Sequence, residues 1–276
     1  MQKVDRLGWA AGFSLKSYGV RIGIRCNDPR GLDQVLPFLP HQHEVVDVPV
    51  VDRLYSIIIA GPGPRANVRR FNLLYGDHIR IARSTNVAEI FERFEADLRL
   101  FVAEVARHRI FVHAGVVGWK GRAIVIPGRS YSGKSTMVSE LVKAGAVYYS
   151  DEYAVLDSRG MVYPFPKPIE MRDSGEFKQT KVDVGHFGGK TATKPIPVGL
   201  VMVTQYKAGA HWKPRQLSGG QAVLALLANT VSARRQPEKA LGTLQRAVSG
   251  APALKGIRGE AEQLAPSVLA RMEKNR

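Results

Sequence analysis

The chain has 276 residues, 45% of them hydrophobic, with 40 Lys and Arg against 24 Asp and Glu, a net charge of +16 and a pI near 10.1. This composition supports one large or two modest folded domains and excludes a largely disordered chain. The single cysteine, Cys26, excludes an internal disulfide and a cysteine-based zinc site, and it suits a reducing compartment. No run approaches the roughly 18 apolar residues of a membrane span. Since the N-terminus also lacks the apolar segment of a signal peptide, we expect a cytoplasmic protein.

The first hundred residues alternate short apolar runs with turn residues, which predicts a small α+β region over 1–108. Strands are expected at 18–25, 54–60 and 78–82. A helix is expected to begin after Asn86, with Glu89 completing a capping box and apolar residues at three- and four-residue spacing forming one buried face. No cluster of catalytic residue types occurs in this region.

A second domain is expected over 109–276, beginning with two β runs at 110–117 and 122–126 that are joined by a glycine-containing turn and predict a hairpin. The second run leads directly into a glycine-rich segment, and residues 137–144 follow with helical spacing. Strand, glycine-rich loop and helix is the context that a phosphate-binding loop requires.

The glycine-rich segment matches the P-loop pattern G-x-x-x-x-G-K-[ST] in full over 128–135. Glycines allow successive backbone N–H groups to point at phosphate oxygens, and the following helix adds its positive N-terminal end. Lys134 is expected to reach the β and γ phosphates of a nucleotide, and Ser135 to ligate Mg²⁺. The alternative is a glycine turn with an incidental lysine. The candidate nucleotide-binding residues are Gly128, Arg129, Ser130, Tyr131, Ser132, Gly133, Lys134, Ser135 and Thr136.

Two adjacent acids, Asp151 and Glu152, follow a predicted strand at 146–150 and precede an apolar run at 153–156. Such a pair divides two tasks, since one carboxylate coordinates Mg²⁺ and the other accepts a proton from an attacking hydroxyl. The pair therefore predicts phosphoryl transfer, although the sequence leaves open which acid does which.

Together, the P-loop, this acidic pair and His113 fifteen positions before Gly128 resemble the catalytic domain of HPr kinase/phosphorylase, a bacterial serine kinase related to PEP carboxykinase. The resemblance covers roughly 111–172, and residues 1–108 do not resemble that family's N-terminal domain. It implies an α/β fold with a PEP carboxykinase-like P-loop kinase core, in which a mixed sheet carries flanking helices. It also implies ATP and Mg²⁺ as cofactors.

The resemblance assigns catalytic roles to His113, Lys134, Asp151 and Glu152, and it places Glu152 where the family has an aspartate. It further implies that Glu170, in Ile169-Glu170-Met171-Arg172, is a metal ligand with Ser135 and Asp151. Two alternatives stay open, because His113 on an apolar strand also suits a core histidine and Glu170 also suits an exposed residue after a rigid proline connector. The family's phosphorolysis loop has no assignable counterpart, which argues against a reverse reaction.

A second signature, the run LSGGQ at 217–221, is that of ABC-type ATPases. In those proteins an acidic pair follows the signature closely, whereas no acid occurs here over 222–237 and the pair Asp151-Glu152 precedes it. A glycine-rich helix start is therefore the expected structure.

The positive charge is concentrated near the C-terminus, since residues 205–276 hold 12 Lys and Arg against 4 Glu and no Asp. Arg234 and Arg235 are candidate phosphate contacts, although a solvated face is the simplest interpretation. No nucleic-acid-binding motif is evident, so an anionic acceptor is favoured over nucleic acid.

The sequence therefore predicts a Mg²⁺-dependent kinase that transfers the γ-phosphoryl of ATP to a hydroxyl, either a serine of a protein or peptide or a small-molecule alcohol. The alternative is an ATP-binding regulatory module with a basic docking face and no useful transfer. The sequence leaves a homo-oligomer open.

Overall fold

The computed structural model describes residues 3–61, 69–128, 132–172 and 179–274. The chain divides into two compact units, Met1–His108 and Arg109–Arg276. Both contain helices packed on sheets of mixed strand direction, so the chain has the mixed α/β character that the sequence predicts for the second region after a small α+β region. Among the described helices, none has the length and apolar content to cross a bilayer.

The first unit contains a six-stranded sheet in the order β3-β1-β2-β4-β5-β6, in which only the β2–β4 pair is parallel. Apolar residues of α2 and of the central strands form its core. Its elements are β1 (Ala11–Ser17), β2 (Val20–Cys26), α1 (Pro29–Val35), β3 (Glu44–Val46), β4 (Arg53–Ile58), β5 (Asn72–Gly76), β6 (Ile79–Ser84) and α2 (Val87–Val105), with short 3-10 helices at Lys3–Arg6 and Leu36–Phe38.

Two local predictions for this unit are corrected by turn and cap geometry. Tyr18 and Gly19 lie in the β1–β2 hairpin turn, where both have positive φ, so the second strand begins after them. Asn86 does cap α2, because its side chain accepts from the Ala88 N–H. Glu89 does not complete a capping box, since its carboxylate accepts from the Ser84 hydroxyl, and that hydroxyl in turn accepts from the Asn86 N–H.

The second unit contains an eight-stranded sheet in the order β11-β10-β7-β8-β14-β16-β15, with β9 also paired to β7, and a separate β12–β13 ribbon. Its elements are β7 (Ile110–Trp119), β8 (Arg122–Pro127), α3 (Lys134–Lys143), β9 (Val147–Ser150), β10 (Tyr153–Leu156), β11 (Met161–Tyr163), β12 (Ile169–Arg172), β13 (Gln179–Val182), a 3-10 helix (Val184–Phe187), β14 (Ile196–Tyr206), β15 (Arg215–Leu217), α4 (Gly219–Leu227), α5 (Pro237–Val248), β16 (Ala253–Arg258) and α6 (Ala261–Lys274).

Alternating residues of the central strands divide this unit into two cores. Val125 of β8 and Val201 of β14 face the core that holds α4 and α5, whereas Ile124 and Leu200 face the core that holds α3 and α6. The strands β8, β14 and β16 run parallel to one another. Their carboxyl ends therefore meet at one edge of the sheet, the edge at which open α/β sheets place their ligands.

The run at 217–221 that matches the ABC signature caps a helix. The Ser218 hydroxyl accepts from the Gln221 N–H, and the Gln221 side chain accepts from the Ser218 N–H, which together form a capping box at the start of α4. The predicted glycine-rich helix start is confirmed, and the signature letters have a local structural explanation.

Candidate functional site

The glycine-rich segment connects β8 to α3 at the carboxyl edge of the sheet. Gly128 directly follows β8, and Gly133 is the N-cap of α3, which begins at Lys134. The predicted strand–loop–helix order is therefore present, while Arg129, Ser130 and Tyr131 lie outside the described residues.

At two glycines of this segment, a side chain would force a neighbouring side chain to move. A Cβ on Gly128 would lie 2.6 Å from the Ser132 Oγ, and a Cβ on Gly133 would lie 2.5 Å from the Arg258 Nη2. Gly133 also has a φ of 80°, in the left-handed region that favours glycine. The Gly128 N–H donates to the His113 carbonyl at 3.2 Å, which ties the start of the segment to β7.

Lys134 is a buried cation at the first position of α3, with only 7% of its surface exposed. Burial lowers its pKa to about 8, and the negative charges of Asp151 and Glu152 oppose this shift. The ammonium group therefore lies in a poorly hydrated position next to the acidic pair, where interactions with an anionic ligand are stronger than in bulk water.

Asp151 is 5% exposed and lies between three hydrogen-bond donors. The Ser135 hydroxyl and the Glu170 N–H each approach Oδ2 at 3.3 Å, and the Tyr148 hydroxyl approaches Oδ1 at 3.2 Å. Burial raises the pKa of Asp151, whereas the nearby Lys167 charge opposes the rise. These donors fix the orientation of the carboxylate next to the Ser135 hydroxyl.

Lys167 bridges two of the predicted acidic residues. Its Nζ lies 2.9 Å from the Glu152 Oε2 and 3.0 Å from the Glu170 Oε1. The proline-bounded segment that the sequence suggests is a rigid connector therefore carries a cation into the site. The Glu170 carboxylate and its main-chain N–H both take part in this cluster.

His113 contacts the main chain of Glu152 and not its carboxylate. The imidazole Nδ1 lies 2.9 Å from the Glu152 carbonyl oxygen, and since a carbonyl only accepts, Nδ1 carries the hydrogen. Burial, and secondarily the Lys134 charge, lowers the pKa of His113. At neutral pH the ring is thus neutral and presents Nε2 as an acceptor, and the contact fixes the backbone just before β10, where the acidic pair lies.

The oxygen donors of the site suit Mg²⁺ bound jointly by protein and phosphate. In the described part of the chain, no three or more His, Cys, Asp or Glu side chains are grouped to hold a metal ion by themselves. Magnesium usually takes one or two carboxylates and completes its shell with water and substrate phosphates. The adjacent Ser135 hydroxyl and Asp151 carboxylate match that limited requirement.

The structure thus brings together all six side chains for which the sequence predicts catalytic or metal-binding roles: His113, Lys134, Ser135, Asp151, Glu152 and Glu170. Thr136 is exposed on the first turn of α3.

Three further residues of this region were not predicted from the sequence. Tyr148 lies in an apolar strand and gives no signal, whereas Lys167 between two prolines and Arg258 at the end of a strand are charges in unusual positions.

Comparisons with known proteins add a distant structural similarity. No protein-family model matches the chain, and no curated protein matches its sequence. Among solved structures, the HPr(Ser) kinase/phosphatase from Coxiella burnetii is similar over 59% of this chain and 95% of its own, with 13% identity and a TM-score of 0.32. At this level the likeness is only a distant structural one.

Proposed function

We propose that this protein is a Mg²⁺-dependent kinase with a PEP carboxykinase-like P-loop core that transfers the γ-phosphoryl of ATP to a hydroxyl acceptor. The observation that carries the proposal is the contact between the Ser135 hydroxyl and the Asp151 carboxylate, directly beside buried Lys134. A hydroxyl, a carboxylate and a lysine at the start of a helix after a glycine-rich loop are the groups that P-loop enzymes use for a metal-bound triphosphate.

Backbone N–H groups of the segment from Gly128 to Ser135 and the Lys134 ammonium would hold the triphosphate. Ser135 and Asp151 would hold Mg²⁺, with Glu170 as a further candidate, and the metal would neutralise charge on the phosphate oxygens. Because phosphoryl transfer depends mainly on positioning and electrostatics, this arrangement would supply most of the catalysis.

The proton of the acceptor hydroxyl would go to Glu152. The Asp151 oxygens are already engaged by Ser135, Tyr148 and the Glu170 N–H, which suits a fixed metal ligand. The Glu152 carboxylate is held by a side-chain ion pair with Lys167, a contact that an incoming acceptor can exchange more readily. His113 would keep the Glu152 backbone in register.

The acceptor class follows from charge as well as from the site. A serine of a protein or peptide, or a small-molecule alcohol, would carry the hydroxyl, and the basic excess over 205–276 favours an anionic acceptor. This surplus would attract such an acceptor over a long range at low ionic strength.

A second candidate is an ATP-binding regulatory module without useful transfer. The observation that favours it is the pairing of Lys167 with both Glu152 and Glu170, because an acid held by a partly buried cation is a weaker proton acceptor than a free one. In that case ATP binding would rearrange the ion pairs of Lys167, and the γ-phosphoryl group would not be transferred.

The two candidates are separated by measuring ATP binding and phosphoryl transfer on the same preparations. A kinase will label acceptors from a panel of serine-containing acidic and neutral peptides and small alcohols, and Glu152→Gln will slow labelling by about 10²–10⁴-fold while ATP still binds. A module will bind ATP with similar affinity in both proteins, label nothing in the panel and show no slow ATP hydrolysis that depends on Glu152. Absence of ATP binding by the unmodified chain would refute both.

The buried lysine gives nucleotide binding a pH dependence. Phosphate oxygens favour the charged form of Lys134, so binding takes up a proton once the pH exceeds the pKa of the free chain, about 8. Affinity is therefore full below pH 8 and declines as the pH rises through it, by about tenfold between pH 7 and pH 9. Titration calorimetry in buffers of different ionisation enthalpy measures both the affinity and the proton uptake.

Lys134→Arg is the control for this pH dependence, because a guanidinium stays charged throughout that range. Its affinity is expected to be flat from pH 7 to pH 9. An equal decline in both proteins would place the titrating group elsewhere.

A further inference from the structure

Arg258 is a second buried cation at the glycine-rich segment, and neither the predicted motif nor the proposed reaction uses it. It is the last residue of β16 and is only 2% exposed. Because β16 lies parallel to β14, and β14 lies parallel to β8, its side chain emerges at the same edge of the sheet as Gly128. The guanidinium packs beside the ring of Tyr206, at the end of β14, 5.3 Å from the ring centroid.

The guanidinium of Arg258 contacts the peptide that starts α3. Its Nη2 donates to the Gly133 carbonyl at 2.8 Å, and its Nη1 donates to the Gly259 carbonyl at 2.9 Å. The same Gly133 carbonyl accepts the helical hydrogen bond from the Met137 N–H at 3.1 Å. Arg258 thus gives the first carbonyl of the helix a second, charged donor.

This contact sets the direction of a backbone donor. In a planar trans peptide the carbonyl and the following N–H point in opposite directions. Since the Gly133 carbonyl points along α3 and toward Arg258, the Lys134 N–H points the other way, out of the helix N-terminus. That is the direction in which such N–H groups bind an anion. The side chain of Arg258 therefore orients the Lys134 N–H, a donor of the phosphate-binding loop, although Arg258 is not part of that loop.

The charge of Arg258 has no close counter-ion among the described residues. Within the described ranges, no carboxylate lies within ion-pair distance of the guanidinium, and its Nε has no hydrogen-bond partner there. Glu260 acts on it only from a greater distance, and the Glu260 carboxylate accepts from the Tyr206 hydroxyl at 2.9 Å. Burial lowers the pKa of Arg258, as expected for a cation that is removed from water and has carbonyl acceptors but no carboxylate beside it.

An isolated buried charge is costly, and the cost is offset when an opposite charge binds nearby. The nearest place for such a charge is the loop that Arg258 supports, which already contains the Lys134 ammonium. Two cations then act on one ligand position, one in the loop and one behind it. Their combined attraction grows with the negative charge of the ligand.

We propose that Arg258 is a positioning residue of the phosphate site: it fixes the Gly133–Lys134 peptide and makes the site discriminate among ligands by the number of their phosphate groups. This inference rests on the proposed nucleotide binding and deepens it. Its ligand class is a polyphosphate, preferred in the order triphosphate, diphosphate, monophosphate.

The test compares Arg258→Gln with Arg258→Lys. Glutamine keeps a donor for the Gly133 carbonyl without the charge. Lysine keeps the charge but can make at most some of the hydrogen bonds that Arg258 donates to the Gly133 and Gly259 carbonyls. Dissociation constants are measured at pH 7 for ATP, ADP, AMP and inorganic tripolyphosphate, together with the melting temperature of the ligand-free proteins. Arg271→Gln, an exposed arginine on α6, makes the same change in net charge away from the site.

We expect Arg258→Gln to weaken the binding of ATP and tripolyphosphate by about tenfold or more. The affinity for ADP should fall by less, and the affinity for AMP hardly at all. Arg258→Lys should preserve the graded preference, and Arg271→Gln should leave all four constants unchanged. The ligand-free melting temperature of Arg258→Gln should change little, because relief of the desolvation cost of the buried charge is offset by loss of its hydrogen bond to the Gly259 carbonyl and of its packing beside Tyr206.

Several results would overturn this role. An equal loss for ATP, ADP and AMP in Arg258→Gln, accompanied by a lower melting temperature, would make Arg258 a purely structural residue. If Arg258→Gln does not fold, loss of the graded preference in a folded Arg258→Lys protein would contradict the role of the charge. Failure of the unmodified chain to bind any of the four ligands would refute nucleotide binding as well, whereas normal binding with unchanged preference in Arg258→Gln would refute only the role of Arg258.

Discussion

Lys134→Met is expected to reduce phosphoryl transfer by about 10²–10³-fold or more, which is the effect of removing a single preorganised charge from a reacting group. Methionine fills the space of the buried lysine stem but cannot contact the phosphates. ATP affinity should fall with activity, because the same ammonium contacts the ligand before and during transfer. Single-turnover transfer and ATP affinity on the same preparation measure both effects.

The control is Lys143→Met in the last turn of the same helix, where the ammonium is half exposed and paired with Glu140. It should retain activity and affinity. Since burial lowers the pKa of Lys134, its charged form destabilises the fold near neutral pH, and its replacement should leave the melting temperature of the ligand-free protein unchanged or higher. Retained turnover in Lys134→Met would refute the kinase proposal.

Glu152→Gln and Asp151→Asn are expected to impair the same reaction in different ways. Glu152→Gln removes the proton acceptor and should lower kcat by about 10²–10⁴-fold with ATP affinity nearly unchanged. Asp151→Asn removes the carboxylate next to the Ser135 hydroxyl, so its activity should fall and its requirement for Mg²⁺ should rise. Mg²⁺ titrations of kcat in both variants distinguish the roles.

Glu140→Gln on α3, which removes a carboxylate paired with Lys143, is the matched control and should behave like the unmodified protein. Partial rescue by high Mg²⁺ is expected for Asp151→Asn only. If Glu152→Gln is rescued and Asp151→Asn is not, the two acids exchange roles. Because burial raises the pKa of Asp151, its ionised form destabilises the fold, and Asp151→Asn should not lower the melting temperature near neutral pH.

Local patterns predict much of the second unit correctly. Alternation of apolar residues and a Lys120-Gly121 turn with positive φ at both positions specify the β7–β8 hairpin. Helical spacing after the glycine-rich segment specifies α3. In the first unit, the predicted capping box at α2 is wrong because neighbouring side chains compete: the Glu89 carboxylate contacts the Ser84 hydroxyl and not the helix N-terminus.

Lys134, Ser135, Asp151 and Glu152 were predictable as candidates from local patterns, since a P-loop pattern and an acidic pair are contiguous and depend on backbone geometry within one or two turns, whereas His113 and Glu170 were suggested by the family resemblance. Residues that are distant in the sequence from these motifs form no local pattern that would identify them. Lys167 lies 15 positions after Glu152 and reaches its carboxylate only because the chain returns through a proline-bounded segment to β12.

The sequence by itself determined the elements and the chemical types at the site: the order of strand, glycine-rich loop and helix, a lysine and a hydroxyl at the helix start, two acids after the next strand, and a net charge of +16. Only the tertiary structure decided which other charges surround them. The parallel pairing of β8, β14 and β16 brings Arg258 behind Gly133 across 125 positions of sequence, and burial there gives both Arg258 and Lys134 lowered pKa values. Desolvation depends on packing from every side, and no local pattern in the sequence encodes it.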